Sequence, residues 1–200
     1  MFDARIRPYI DPVLNTLGRS VAKLGISANM VTLSAIVPAL AAGFAIAQHH
    51  YLTALVLILF NRVIDGLDGA VARFRGITDF GGYLDTLADY VFYISVPAGF
   101  GFANSHNAQF AMLLIASFTL TCASFLVFAA IAARRGQETA AHGQKSFFYS
   151  TGLAEGAETI LTFTLMCLLP QHFPLIATVF AALCLLTVLQ RSVLAKSQFS

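Results

Sequence analysis

A chain of 200 residues with 58% hydrophobic and only 11% charged residues, mean hydropathy +0.75 and net charge +2 does not fit a soluble domain, in which about a quarter of the residues are charged. No separate basic segment is present to take nucleic acid as a partner. The chain reads as an all-α integral membrane protein with a single domain over 1–200, made of a juxtamembrane segment at 1–26 and a six-helix membrane domain at 27–196.

The first predicted element is an interfacial amphipathic helix in "DPVLNTLGRSVAKLG". Asp11 is placed to cap it and Pro12 suits its first turn. Val13, Leu14, Leu17, Val21 and Leu24 form an apolar stripe opposite Asn15, Arg19 and Lys23. The segment lacks the short apolar core and small cleavage-site residues of a signal peptide. It serves either as a plain anchor on the membrane surface or as part of the catalytic apparatus.

Six apolar windows follow, at 28–48, 51–64 with helical continuation to 75, 82–103, 109–133, 147–169 and 174–195. Each supplies the roughly 20 helical residues that cross a hydrocarbon core of about 30 Å. Turn residues separate them, as in "QHHY" at 48–51, "RGITDFGG" at 75–82 and "PQHFP" at 170–174. Arg5, Arg7, Arg19, Lys23, Arg73, Arg75, Arg134, Arg135, Lys145, Arg191 and Lys196 all fall on one side of these spans, and the opposite turns at 48–51, 104–109 and 170–174 hold neither Lys nor Arg. Basic residues near span ends stay in the cytoplasm, so both termini are expected there. That basic face suits the headgroups of membrane lipids. Cys122, Cys167 and Cys184 lie singly in three spans, too scattered for a zinc or redox site, and His49, His50, His106 and His172 belong to the outer turns.

Against this apolar background, Asn61 to Tyr90 holds five aspartates and three arginines. Asp65 lies 14 residues from Tyr51 and Asp89 lies 14 from Ala103, which puts both about 21 Å in from the outer surface. A carboxylate at that depth must be paired, metal-bound or wetted, so these residues face an internal cavity. Asp65, Asp68, Gly69 and Ala72 recur at i, i+3, i+4 and i+7 on one helix face, and Gly81, Asp85 and Asp89 at i, i+4 and i+8 on the next. A short turn at Gly76 sets the two acidic faces opposite one another. Oxygen-only ligands in this number suit Mg²⁺ or Mn²⁺, and two ions are expected. Gly69, Ala72 and Gly81 leave room beside the acids for a flat or bulky ligand, and with Arg73 nearby the chemistry suits a pyrophosphate, although small residues also serve close helix packing.

The run Asp65-x-x-Asp68-Gly69-x-x-Ala72-Arg73, followed after seven residues by Gly81-x-x-x-Asp85-x-x-x-Asp89, resembles the signature of the CDP-alcohol phosphatidyltransferases. "SANMVT" at 27–32 is similar to the family's segment before span one, with Asn29 matching and Ala28 in place of a proline. The resemblance implies a phospholipid-synthesising enzyme that transfers a phosphatidyl group from a CDP-linked lipid, CDP-diacylglycerol or a similar donor, to a small polar alcohol and releases CMP. By position it implies Asp65, Asp68 and Asp85 as metal ligands and Asp89 as general base, itself near a metal. It implies contacts to the nucleotide from Asn29, Asp68, Gly69, Ala72, Arg73 and Gly81. It further implies a homodimer in a bacterial inner membrane, with the active site facing the cytoplasm.

The acceptor is read from weaker signals. Tyr90 after the last aspartate, and the distance from there to Pro97 and Ala98, resemble the phosphatidylserine synthase branch, but Ala154 and Glu155 depart from it. Glu155 and Glu158, on one face of span five, either bind an amino group of serine or another amino-alcohol or pair with Arg62 or a loop arginine. Arg134, Arg135 and Lys145 either receive a phosphate on glycerol phosphate or inositol phosphate or simply mark the cytoplasmic side. The rival class is a cation or proton transporter, yet no acidic or basic residue occupies the outer third of any span to complete a path. A metal that only staples two helices is the structural rival, and it gives no reason for small residues alternating with aspartates.

Overall fold

The computed structural model describes residues 3–135 and 156–200, with side chains from Ile10 onward. Its regular structure is wholly helical among these residues: α1 (Asp3–Lys23), α2 (Ala28–Ala47), α3 (Tyr51–Arg75), α4 (Asp79–Ala103), α5 (Ala108–Arg134), α6 (Gly156–Leu168) and α7 (Phe173–Phe199). Single 3₁₀ turns at 105–107 and 170–172 precede α5 and α7. The helices coincide closely with the apolar windows because continuous Leu, Ile, Val, Ala and Phe satisfy every backbone group internally when coiled, as lipid demands. α6 is described only from Gly156, so the expected start of that span at 147 lies outside the described residues, as do Lys145 and Glu155.

Local chemistry sets the helix starts. Ser27 accepts a hydrogen bond from the Met30 amide at 3.3 Å and so caps α2 although Ala28 stands where proline was expected. Thr78 does the same for α4 through the Gly81 amide at 3.0 Å, which moves that helix start back to Asp79 from the expected 82. Gly76, with φ of 109°, makes the turn between α3 and α4 in a backbone conformation that side chains rarely adopt.

The N-terminal helix differs from expectation. It starts at Asp3, so Asp11 and Pro12 lie inside it and Asp11 is not its cap. The proline removes the amide donor that would reach residue 8 and its ring crowds that carbonyl, yet the helix continues past it. The apolar stripe also divides. Ile10, Val13, Leu17 and Leu24 are exposed, whereas Leu14, Gly18, Val21 and Ala22 pack against α3. A Cβ on Gly18 would stand 2.6 Å from that of Ala70, so the two helices touch through their smallest residues.

α2 packs chiefly on α3 and α4, α4 on α5, and α5 on α7, while α6 leans on α3. The α2–α4 crossing depends on Gly43 and Gly99: a Cβ on Gly43 would sit 2.5 Å from the Ser95 carbonyl oxygen, and one on Gly99 would run into the Gly43 carbonyl. Away from the acids, the core is aromatic. Phe100 and Phe173 stack with centroids 4.4 Å apart, and Phe163 lies edge-on to Phe92 at 5.4 Å. The exterior is apolar, with Leu33, Val37, Leu40 and Phe44 exposed on α2 and Leu52, Val56 and Phe60 on α3, while Thr32, Asn61, Asp68, Ser117 and Thr187 are buried. Polar groups inside and hydrocarbon outside is the arrangement for a lipid solvent.

Among the described residues, three helical stretches, Ala28–Ala47, Ser105–Arg134 and Pro170–Phe199, are long and apolar enough to cross a membrane. α3 and α4 have 25 residues each but carry the acidic cluster. At one end of the bundle, Arg75 donates to the Gly25 carbonyl at 3.0 Å, tying the end of α3 to the start of α2, and Arg135 donates to the Phe199 carbonyl at 2.6 Å, tying the ends of α5 and α7. Cys122, Cys167 and Cys184 are free thiols in three separate helices.

Candidate active site

α3 and α4 run antiparallel from the Gly76 turn, and their acidic faces meet. One carboxylate oxygen from each of Asp65, Asp68 and Asp85 lies within 4.8 Å of the others. Divalent Mg²⁺ or Mn²⁺ draws oxygen ligands to roughly 2.1 Å, so opposite ligands stand about 4 Å apart. Small side-chain rotations therefore close these three around one ion, and the all-oxygen donor set is of the kind these ions take. Asp68 is the anchored member: it is buried, and one of its oxygens accepts from the Thr32 hydroxyl of α2 at 2.6 Å.

Asp89 lies one turn further along α4 and lines the same cavity. Its Oδ1 accepts from the Arg62 guanidinium at 3.0 Å, and the same Arg62 nitrogen is 3.5 Å from Asp65. The cluster thus brings together four carboxylates and one guanidinium, which leaves a negative excess that a divalent ion would offset.

The cavity measures about 610 Å³ and opens among four helices. α3 and α4 line it with Asp65, Gly66, Asp68, Gly69, Arg73, Asp85 and Asp89. α1 contributes Ile10, Asp11 and Leu14, and α6 contributes Ala157, Ile160, Leu161 and Thr164. The α6 residues recur at i, i+3, i+4 and i+7 and give the pocket a wall that is apolar except for Thr164. Volume and lining suit a ligand with one charged end and one oily end.

The remaining expected residues are distributed around this centre. Gly69 is open: an added Cβ would meet only the Arg73 side chain, at 3.4 Å. Arg73 donates to Asn15 of α1 at 2.9 and 3.3 Å, so its guanidinium is held at the cavity rim. A Cβ on Gly81 would stand 3.2 Å from the Asn29 side chain, which places Asn29 and Gly81 together at the starts of α2 and α4. Asn29, Ala72 and Gly81 are not among the cavity-lining residues. Arg134 is exposed at the end of α5, and Glu158 is half-buried beside the α6 stripe rather than in it. Arg62 is committed to Asp65 and Asp89.

Sequence reasoning missed four features. Arg62 precedes Asp65 by one turn, and that i, i+3 spacing was a usable signal. Thr32, in the quoted segment before span one, gave no sign that it would reach Asp68, 36 residues away. Asn15 gave none for Arg73, and Asp11 was assigned to a cap instead of the cavity.

Among the described residues, the protein is an all-helical bundle whose carboxylate cluster opens into a cavity with both polar and apolar walls. The pattern that describes CDP-alcohol phosphatidyltransferases matches residues 25–190, and the chain belongs to that family. It is therefore a phospholipid-synthesising transferase. It is 44% identical over 192 residues to inner membrane protein YnjF of Escherichia coli (strain K12), covering 96% of this chain and 93% of that one. It is 31% identical over 97 residues to an archaetidylinositol phosphate synthase of Pyrococcus horikoshii, a match spanning about half of each protein, 48% and 52%. Its fold is similar to the crystal structure of Mycobacterium tuberculosis phosphatidylinositol phosphate synthase (PgsA1) with CDP-DAG bound, at TM-score 0.62, 21% identity and coverage of 90% and 92%. The same synthase in complex with manganese and citrate gives TM-score 0.64 at 20% identity, with coverage of 89% and 86%.

Proposed function

We propose that the protein transfers a phosphatidyl group from CDP-diacylglycerol, or a similar CDP-linked lipid, to the hydroxyl of a small polar alcohol and releases CMP. The observation that carries this is the convergence of Asp65, Asp68 and Asp85 on one point of a cavity whose far wall is apolar. The family is one of phosphatidyl transfer, and the fold neighbours were solved with manganese or CDP-DAG. Mg²⁺ or Mn²⁺ on these acids would neutralise pyrophosphate oxygens and polarise the phosphorus under attack. Asp68, steadied by Thr32, holds its oxygen toward the ion position. Asp89 takes the proton of the attacking hydroxyl, Gly69 leaves space for the nucleotide, and Arg73 guards the rim. Asn29, Ala72 and Gly81 border the nucleotide. Ile160 and Leu161 keep the lipid end of the donor out of water.

The enzyme works as a six-span homodimer, and the basic residues gathered at one end of the spans support an orientation with both termini and the cavity mouth in the cytoplasm. For the acceptor, the archaetidylinositol phosphate synthases among the relatives favour inositol phosphate. Serine or another amino-alcohol is the second reading, supported by Tyr90 and Glu158. Incubating purified protein with CDP-diacylglycerol, Mn²⁺ or Mg²⁺ and inositol phosphate, glycerol phosphate, inositol or serine tests both. CMP release with a single acceptor assigns it; cation flux without CMP release would overturn the transferase reading for this chain.

A further inference from the structure

Resting on that metal reading, we infer that Arg62 is a fixed positioning residue: it holds one oxygen of Asp89, leaves the other to the cavity, and makes the Asp65–Asp89 edge a weaker place for a divalent ion than the Asp65, Asp68 and Asp85 cradle. The geometry comes first. The Arg62 Nη1 lies 3.0 Å from Asp89 Oδ1 and 3.5 Å from Asp65 Oδ2, so one cation already sits between these two acids. Neither Asp68 nor Asp85 forms an ion pair with Arg62, and each has an oxygen within 4.8 Å of one on Asp65.

Arg62 is also locked. Its Nε donates to Asn61 Oδ1 at 2.8 Å, and Nη2 donates to the same oxygen at 2.5 Å. Asn61 is buried and donates in turn to the Ala35 carbonyl of α2 at 2.7 Å. Below the guanidinium, the buried Phe92 ring of α4 has its centroid 3.9 Å from Arg62 Cζ. Three helices therefore hold the side chain, which is 13% exposed. Swinging it away would strand a cation within the membrane's apolar region, so it stays in place when ions enter.

Two consequences follow. A second ion reaching Asp65 and Asp89 would meet two carboxylates that are both paired with Arg62, whereas the first would meet three carboxylates of which only Asp65 is so paired. Asp89 is pinned through one oxygen, so its other oxygen keeps a set direction toward the attacking hydroxyl. Lysine keeps the charge but lacks the fork that spans Asn61 and Asp89.

The test is Mn²⁺ titration of the purified protein in nanodiscs without nucleotide, with free Mn²⁺ read by electron paramagnetic resonance. The wild type is expected to bind one ion at least about tenfold more tightly than a second. In Arg62→Met the second ion tightens about tenfold, and kcat falls at least about tenfold while KM for the CDP-lipid stays within about threefold. Arg62→Lys, the variant better able to keep the fold, retains the weak second site and recovers part of kcat. Equal affinities in the wild type, an unchanged isotherm in Arg62→Met, or wild-type kcat in Arg62→Lys each overturn the inference and leave the transferase reading standing. No Mn²⁺ binding to the wild type would overturn the metal reading along with it.

Discussion

Asp65, Asp68, Asp85 and Asp89 are chemically identical, and their neighbours distinguish the roles proposed for them. Asp68 is tethered to Thr32 and shares a point with Asp65 and Asp85, so Asp68→Ala or Asp65→Ala should abolish measurable Mn²⁺ binding by calorimetry together with activity. Asp89 stands apart from that triad, with one oxygen on Arg62. Asp89→Asn is expected to lower kcat by about 10²-fold or more while nucleotide Kd changes little, since a base matters only as the hydroxyl attacks. Near-normal turnover in that variant would remove Asp89 from the role of base. At Gly69 the structure makes a graded prediction. A methyl group has only the Arg73 side chain nearby, so Gly69→Ala should fold and bind, whereas Gly69→Leu reaches into the cavity and should weaken CDP-lipid binding by about tenfold or more, read as Kd.

Among the helices, α1 is the one whose position most changes the reading of the site. It is docked on α3 through Gly18 and Leu14, it sends Asn15 to Arg73, and it places Asp11 in the cavity wall. Gly18→Val would drive a side chain into the backbone of Ala70 and Val71. We expect this to raise KM for the CDP-lipid several-fold while the α2–α7 bundle melts near the wild-type temperature. An unchanged KM would make α1 an anchor and no more. Gly99→Val tests the α2–α4 crossing instead, where overpacking costs roughly 1–3 kcal/mol and should lower Tm in detergent without any direct contact to the acids.

For the molecule as a whole, the inverted distribution of polarity accounts for where the charges are allowed to sit. Leucine, valine and phenylalanine face outward along α2, α3 and α7, and the carboxylates line a cavity instead of joining that apolar exterior. The proposed orientation makes a labelling prediction. In right-side-out vesicles a cysteine at Ser105, in the turn before α5, should react with an impermeant maleimide, and one at Arg135, at the opposite end of that helix, should react only after permeabilisation. The reverse pattern would put the cavity mouth on the outer side.

Much of this protein was written along the chain because helix periodicity is local. Spacings of three and four residues align Asp65 with Asp68 and Asp85 with Asp89 whatever the rest of the chain does, and long apolar runs become membrane helices for lack of any other way to satisfy their backbone. The extent of α2 to α5 and of α7, and the meeting of the acidic faces across Gly76, were legible on those grounds. The start of α1 was not, because the proline that suggested a beginning lies inside a helix that runs through it against the usual preference. Nor were the partners that tune the site: Thr32 on Asp68, Asn15 on Arg73, and the α6 stripe that closes the cavity. Those contacts join residues far apart in the chain, and they depend on which helix faces turn toward one another. That choice is made by close packing at Gly18, Gly43 and Gly99, where fit between surfaces leaves no trace in the spacing of residues along one strand of sequence.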